Sequence, residues 1–452
     1  MRPGARADGL RVALGGLAAA LVLAAGAAHA QDSRDMALAG FHDLSGRSAY
    51  QPVIQAQGGR WIAYVGHHAG SARNPLTGRD EPNGTSVLDV TDPRKPRLLA
   101  HIPGDGAGAQ MARVCSGLPG AARERSFLLR TLGNSAHEVW DVTQPERPQR
   151  VSVPSSGLSG THKSWWECDT GIAYLVSGVP GWRAWRMTQI YDLSNTARPV
   201  FIRNFGLPGQ EPGSTGHVPT ALHGPVSTGP RGGRVYFGYG VNAYGLMQIV
   251  DREKLLKGPK APTEDNLRHP QIGMLELPRN QGAHTAFPIL GLEVPEFAKH
   301  SEGRVRNYVL VVSESLAEGC HEARQMAWMV DVSDEPRPFP VAGLTPAEAT
   351  GNYCSRPGRF GAHASNESFA PVYYRKLVFI AHFNAGVRAF DIRNPLAPRE
   401  VAYYVPESKG AAVATNNVET DERGYIYIVD RGGLGMHVLE LAGEARKIAN
   451  LQ

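Results

Sequence analysis

Four histidines stand at the opening of successive repeats in this chain: His162, His223, His284 and His363. All four have small-residue neighbours, as in Gly282-Ala283-His284 and Gly361-Ala362-His363. Each is followed by an Asp that closes an apolar run, at intervals of 30, 28, 47 and 28 residues. The long interval carries an insertion rich in charged and loop residues around Glu293 to Arg306. Neutral imidazole is a strong ligand for copper, iron, zinc and nickel, and four nitrogens leave one or two coordination positions for water, dioxygen or substrate. The expectation is a transition-metal centre, with iron or copper preferred to zinc. Repeats also duplicate any polar residue that solvates a channel, so four aligned histidines equally suit hydrogen-bonding groups around trapped water. The other repeats open on Gln51, Gln110 or Met111, and Asn416 or Asn417. That favours the metal, because an inherited channel residue should recur in every copy.

Two further histidines occupy matching places. His67 follows Ala63-Tyr64-Val65-Gly66, with His68 beside it, and His382 follows Phe379-Ile380-Ala381, so both end a second strand. With pKa values that ordinarily lie near neutrality, His67 and His382 are the candidate acid/base residues. Glu167, Glu314, Glu367 and Glu419 are carboxylates able to orient the imidazoles, and nothing in the sequence ranks them. Trp165, Trp166, Trp182 and Trp185, interleaved with Lys163, Arg183 and Arg186, read either as an aromatic wall for a ligand or as packing between repeats. No G-x-S-x-G elbow is present, and His137-Glu138 and His321-Glu322 lack the second histidine of H-E-x-x-H.

The elements that must position these residues are legible in a recurring box. Short apolar runs close on Asp89, Asp141, Asp192, Asp251, Asp331, Asp391 and Glu440, and five of the seven are followed by a proline-punctuated tail such as Val90-Thr91-Asp92-Pro93. Successive acids are 52, 51, 59, 80, 60 and 49 residues apart. A period near fifty corresponds to one propeller blade, a unit that must stack on its neighbours to bury its faces. The order of signals within a repeat gives four strands, with the prolines outside the ladders. The sequence therefore predicts an all-β chain, a seven-bladed β-propeller of four-stranded antiparallel blades over 45–452, preceded by a lead-in over 31–44. The acids themselves are expected to accept hydrogen bonds from turn N–H groups at the strand ends. Because the first strand of a blade lines the channel, the four histidines would converge on the axis.

Segments such as Met247-Gln248-Ile249-Val250-Asp251 and Ser86-Val87-Leu88-Asp89 resemble the LVIVD-repeat family of exported bacterial β-propellers. The resemblance covers most of residues 45 to 445 and implies the fold without an activity, since a propeller hosts catalysis, ligand binding and docking alike. The carotenoid cleavage oxygenases are similar in arrangement only, holding iron by four histidines at a propeller axis.

Arg2, Arg6 and Arg11, the apolar stretch Val12 to Ala28, and Ala28-His29-Ala30 describe a signal peptide over 1–30 cleaved after Ala30. No later apolar run is long enough to span a bilayer. The expected location is a bacterial periplasm or the medium. In that setting four cysteines favour two disulfides, and repeat register pairs Cys115 with Cys168 and Cys320 with Cys354. The formal charge of +5 falls to about +3 once the first thirty residues are removed, with no basic stripe, which argues against nucleic acid as a partner. Two functions follow. One is a metal-dependent enzyme, an oxidoreductase acting on a small molecule that enters a mouth bordered by the His67, His382 and Trp165 loops. The other is a non-enzymatic propeller that binds a protein or cell-surface ligand through long insertions at 70–85, 252–272 and 286–305.

Overall fold

The proline tails and the acidic boxes act as strand terminators. In the computed structural model, which describes residues 32–301, 303–347, 351–408 and 410–451, the boxes end strands Thr85–Asp89, Ala136–Asp141, Met187–Asp192, Leu246–Asp251, Ala327–Asp331 and Val387–Asp391. Five of these acids accept a hydrogen bond from the backbone N–H two residues on, as Asp89 does from Thr91 at 2.9 Å and Asp192 from Ser194 at 2.8 Å. Asp251 instead caps the helix Arg252–Lys257 by accepting from the Lys254 N–H at 2.9 Å. The expected structural role of the acids is thus borne out. The signal peptide expected over 1–30 lies outside the described residues.

Strand makes up 47% of the chain and helix 7%, so the protein is all-β. Four sheets are simple four-stranded antiparallel meanders: 112–156, 165–205, 222–276 and 285–344. A fifth, over 49–102, adds the short strand Gly108–Ala109 at His67 and His68. The remaining strands form one nine-stranded sheet, in which the single pair Phe383–Thr415 joins a set built on Phe360–Ser365 to a set built on Thr415–Thr420. Neighbouring sheets bury their faces on each other. Tyr174, Val176 and Ile190 pack with Leu222, Val235 and Phe237, while Leu310 and Met329 pack with Ile380 and Phe390. The result is a propeller-like fold.

The segment expected as a lead-in is woven into the sheets. Met36–His42 pairs antiparallel with Met436–Leu441, and Asp32–Arg34 pairs with Arg399–Val405. The chain ends close the structure by sharing a sheet, which covers an edge that would otherwise present unpaired backbone groups. Closure is tight at Gly40, where an added Cβ would lie 2.1 Å from the carbonyl oxygen of Pro93. The three insertions carry regular structure among the described residues. They form the hairpin Ser71–Asn74/Arg79–Pro82, the helices Arg252–Lys257 and Glu264–Arg268, and an extension of the strand Thr285–Glu293. Disulfides join Cys115 to Cys168 and Cys320 to Cys354, the pairs expected from register. They fit an extracellular or periplasmic location. Among the described residues no helix is long and apolar enough to cross a membrane.

Candidate functional site

Inner strands deliver the four histidines to the axis. His223 lies in Leu222–Ser227 and His363 in Phe360–Ser365, while His284 immediately precedes Thr285–Glu293. His162 comes three residues before the pair Trp165–Trp166, and its N–H is held by the Val176 carbonyl at 2.9 Å. The small neighbours have a steric cause: a Cβ on Gly282 would lie 1.9 Å from the Val241 oxygen, and Gly361 adopts φ +148°.

The four imidazoles touch in sequence. Ring centroids are 4.5 Å apart for His162–His223, 3.6 Å for His223–His284 and 4.5 Å for His284–His363. Tyr50 completes the circle, at 5.4 Å from His162 and 5.8 Å from His363. All five side chains are buried, none more than 7% exposed. Burial holds the four histidines well below the usual imidazole range, and Arg186 or Lys163 nearby adds to the effect, so the rings are neutral. Backbone carbonyls set two of the tautomers, while His284 Nδ1 meets Thr285 Oγ1 at 3.0 Å. His223 Nδ1 donates to the His284 carbonyl at 2.8 Å and His363 Nδ1 donates to the Asn416 carbonyl, leaving Nε2 lone pairs facing inward.

Glu314 is the carboxylate that reaches the ring. Its oxygens lie 3.9 Å from His284 Nε2 and 3.6 Å from His363 Nε2. Burial pushes its pKa up, against the pull of Arg431, Arg359 and Arg186. Among the described residues the set whose ligand atoms all lie within 4.8 Å of one another is His223, His284 and Glu314. The histidine ring expected as a four-nitrogen set is therefore an arc, from which two imidazoles and one carboxylate converge. His284 Nε2 and His162 Nδ1 have no hydrogen-bond partner.

A second charged layer lies deeper along the same strands. Lys163 and Arg113 both pair with Glu367, and Lys163 also donates to Thr285 Oγ1 at 2.8 Å. Glu419 accepts from the N–H groups of Glu367 and Ser368, at 2.9 and 3.0 Å. Burial, with the neighbouring Glu367 charge, raises its pKa to about 7. This layer closes the axis beneath the imidazoles. Glu167 stands apart from it, paired with Arg252.

The expected acid/base pair is not at the ring. His67 is buried in the first sheet, where Nε2 meets Ser86 Oγ at 2.8 Å, and its ring neighbour is His101. His382 is buried beside Phe390, with Nδ1 donating to the Ile380 carbonyl and a pKa lowered by burial to about 3. His68, one residue on from His67, faces the axis instead, with its ring 5.2 Å from Tyr50. Successive side chains in a strand point to opposite faces, so one position decides which histidine is seen. The four tryptophans also separate. Trp165 and Trp166 pair with the start of Ile172–Ser177, whereas Trp182 and Trp185 follow its end. Trp165 borders a cavity of about 760 Å³ with Phe369 and Tyr374 on the face away from the ring, so it cannot border the mouth.

On the near face, a cavity of about 260 Å³ opens beside the ring, separated from His363 by Phe383. Its walls include Arg359, Arg431, Phe383 and Ala414, and the Phe383 ring packs on His363 at 5.0 Å. The sequence reading missed Tyr50 and the arginines. Tyr50 directly precedes Gln51, the residue expected at that place, and a shift of one position was enough to hide it.

Stacked four-stranded sheets with a polar axis define the class of β-propeller-like proteins. Among solved structures the chain is similar to Sqt1 of Chaetomium thermophilum, a WD40 β-propeller, with a TM-score of 0.54 over 91% of this chain and 99% of that one. Sequence identity is 11%, so the likeness concerns the fold alone. No protein-family model matches the chain, and no curated protein matches it.

Proposed function

We propose that this chain is an exported seven-bladed propeller of the LVIVD-repeat kind that holds a transition metal, iron or copper, at its axis and acts on a small molecule there. The observation that carries this reading is the convergence of His223, His284 and Glu314 within 4.8 Å, all buried. His162 and His363 flank that set and complete the nitrogen-rich donors expected of such a centre. The Nε2 lone pairs of His223 and His363 are already oriented by backbone carbonyls, an arrangement that ligating histidines commonly use. When bound, the metal would supply Lewis-acid or redox chemistry at its open positions. The protein's own groups would orient it and exclude water, with Tyr50 and His68 as hydrogen-bonding groups beside the ring. Protein purified without a polyhistidine tag should carry about one metal per chain. Less than a few tenths after reconstitution with iron and with copper would sink the proposal.

A second reading is a propeller that docks a protein or cell-surface ligand. It asks for nothing beyond the fold and its surface, and it is favoured by large apolar side chains exposed on the loops of the mouth face, Trp185 at 61% and Tyr244 at 57%. On this reading the imidazole arc is a hydrogen-bonded filling of the channel, and His223→Gln leaves ligand binding intact.

A further inference from the structure

Three arginines surround the mouth of the imidazole ring, and one carboxylate faces them. Arg359 Nη1 lies 3.5 Å from Glu314 Oε1 and donates to the Ser315 carbonyl at 3.3 Å. The Arg186 guanidinium stacks on Trp185 at 3.9 Å, and its Nε donates to the Gly160 carbonyl at 2.8 Å. Arg431 makes no side-chain hydrogen bond among the described residues, and its Nη1 is buried without a partner. Glu314 feels all three cations. Among the described residues only Arg359 of the three has a carboxylate within ion-pair distance. A guanidinium nitrogen buried without a hydrogen-bond partner is costly to maintain, and such an orphan calls for a partner such as an ion or water.

We propose that Arg359 and Arg431 form a recognition site for a small oxyanion, a carboxylate or phosphate group held in the cavity beside Phe383. Both arginines line that cavity, whose volume of about 260 Å³ admits a small molecule and no polymer. Glu318 is the one acidic residue in the lining, and it is exposed at the rim, against two arginines. The planar guanidinium fork suits the paired oxygens of such a ligand, and Phe383 offers an apolar wall beside it. Lys163 and Arg113 in the deeper layer are both paired with Glu367, whereas Arg431 at the mouth has no carboxylate within ion-pair distance among the described residues. This inference takes the ring as the working site, and it does not require the metal to be present.

The test is calorimetric titration of metal-depleted full-length mature protein with malonate and, separately, inorganic phosphate. Saturable binding of at least one is expected, weakening as chloride is raised. Arg431→Gln and Arg359→Gln should each reduce affinity about ten- to a hundred-fold, as expected for loss of a charged hydrogen bond, while Arg231→Gln on the opposite face should not. Far-ultraviolet circular dichroism and the melting temperature keep folding in view. If Arg431→Gln fails to fold, Arg359→Gln, whose side chain is partly exposed, decides. No binding of either anion, or affinities unchanged in the folded variants, would overturn the proposal. Uptake of iron and copper is measured separately on the reconstituted protein, so anion binding with no metal uptake refutes the metal centre alone, and metal uptake with no anion binding refutes this site alone.

Discussion

His162, three residues ahead of the strand Trp165–Trp166, faces His223 in the strand Leu222–Ser227 with their Nε2 atoms 2.8 Å apart. Because His223 gives its Nδ1 proton to the His284 carbonyl, its neutral ring presents a lone pair at Nε2. His162 must then donate a proton to it, or both nitrogens must turn lone pairs to a shared cation. Two nitrogens about 2.0 Å from one ion and at right angles would stand about 2.8 Å apart. The same contact thus serves a proton-sharing pair and a pair of metal ligands, and one added cation would convert the first into the second.

That duality makes His223 and Glu314 the informative substitutions. His223→Gln and Glu314→Gln should each lower bound iron or copper to a small fraction of the wild-type amount. In the wild type, metal at a hundred times its dissociation constant should add about 2.7 kcal/mol of stability, and in the variants it should add little. Metal analysis paired with denaturant titration reads both effects. Equal metal content in wild type and both variants would show that the convergent set is not the ligand set.

Glu419 should make stability depend on pH in a direction opposite to that of most carboxylates. Its folded pKa, raised by burial to about 7, lies above the ordinary value of 4.5. Its favourable contribution is therefore full below about pH 4.5 and is lost as pH rises through about 7. Glu419→Gln removes that dependence. Relative to wild type, the variant should be more stable at pH 8 than at pH 5 by on the order of 2–3 kcal/mol, because the cost of the one backbone contact that the amide loses is the same at both pH values and cancels. Urea denaturation at the two pH values measures it, and a difference of zero or of opposite sign refutes it.

Closure by the first strand predicts a steric sensitivity at Gly40. A valine there would press on the Pro93 carbonyl, 2.1 Å from the ideal Cβ position, and must move backbone. Gly40→Val should cost about 1–3 kcal/mol in chemical denaturation. An unchanged midpoint would show that the strand does not close against the first sheet.

Arg130 and Glu138 form a buried ion pair, each 1% exposed, with Trp140 Nε1 also donating to the carboxylate at 2.9 Å. Glu138→Ala strands a buried guanidinium and should destabilise by about 3–5 kcal/mol. The double variant Arg130→Met/Glu138→Leu should cost less than the single one, because no charge is left uncompensated. If the double variant costs the sum of its parts, the pair is not coupled.

Chain periodicity alone determined the all-β class, the strand ends, the disulfide pairs and the placing of four histidines on inner strands. These follow from local rules: an Asp that binds the N–H groups of its own turn, prolines that stop a ladder, and repeats that stack in order. Tertiary structure alone decided which groups share the axis. Tyr50 and His68 each sit one residue from the position expected, and in a strand that step reverses the face. Glu314 was indistinguishable in sequence from Glu167, Glu367 and Glu419, because its neighbours come from other sheets. Trp165 and Trp185 lie at opposite ends of one sheet although they are close in sequence, since a strand runs between them. The residues at 36–42 find their partner only at 436–441. A repeat pattern specifies how each unit folds, and the contacts between units, where the site lies, depend on distances that only the assembled chain sets.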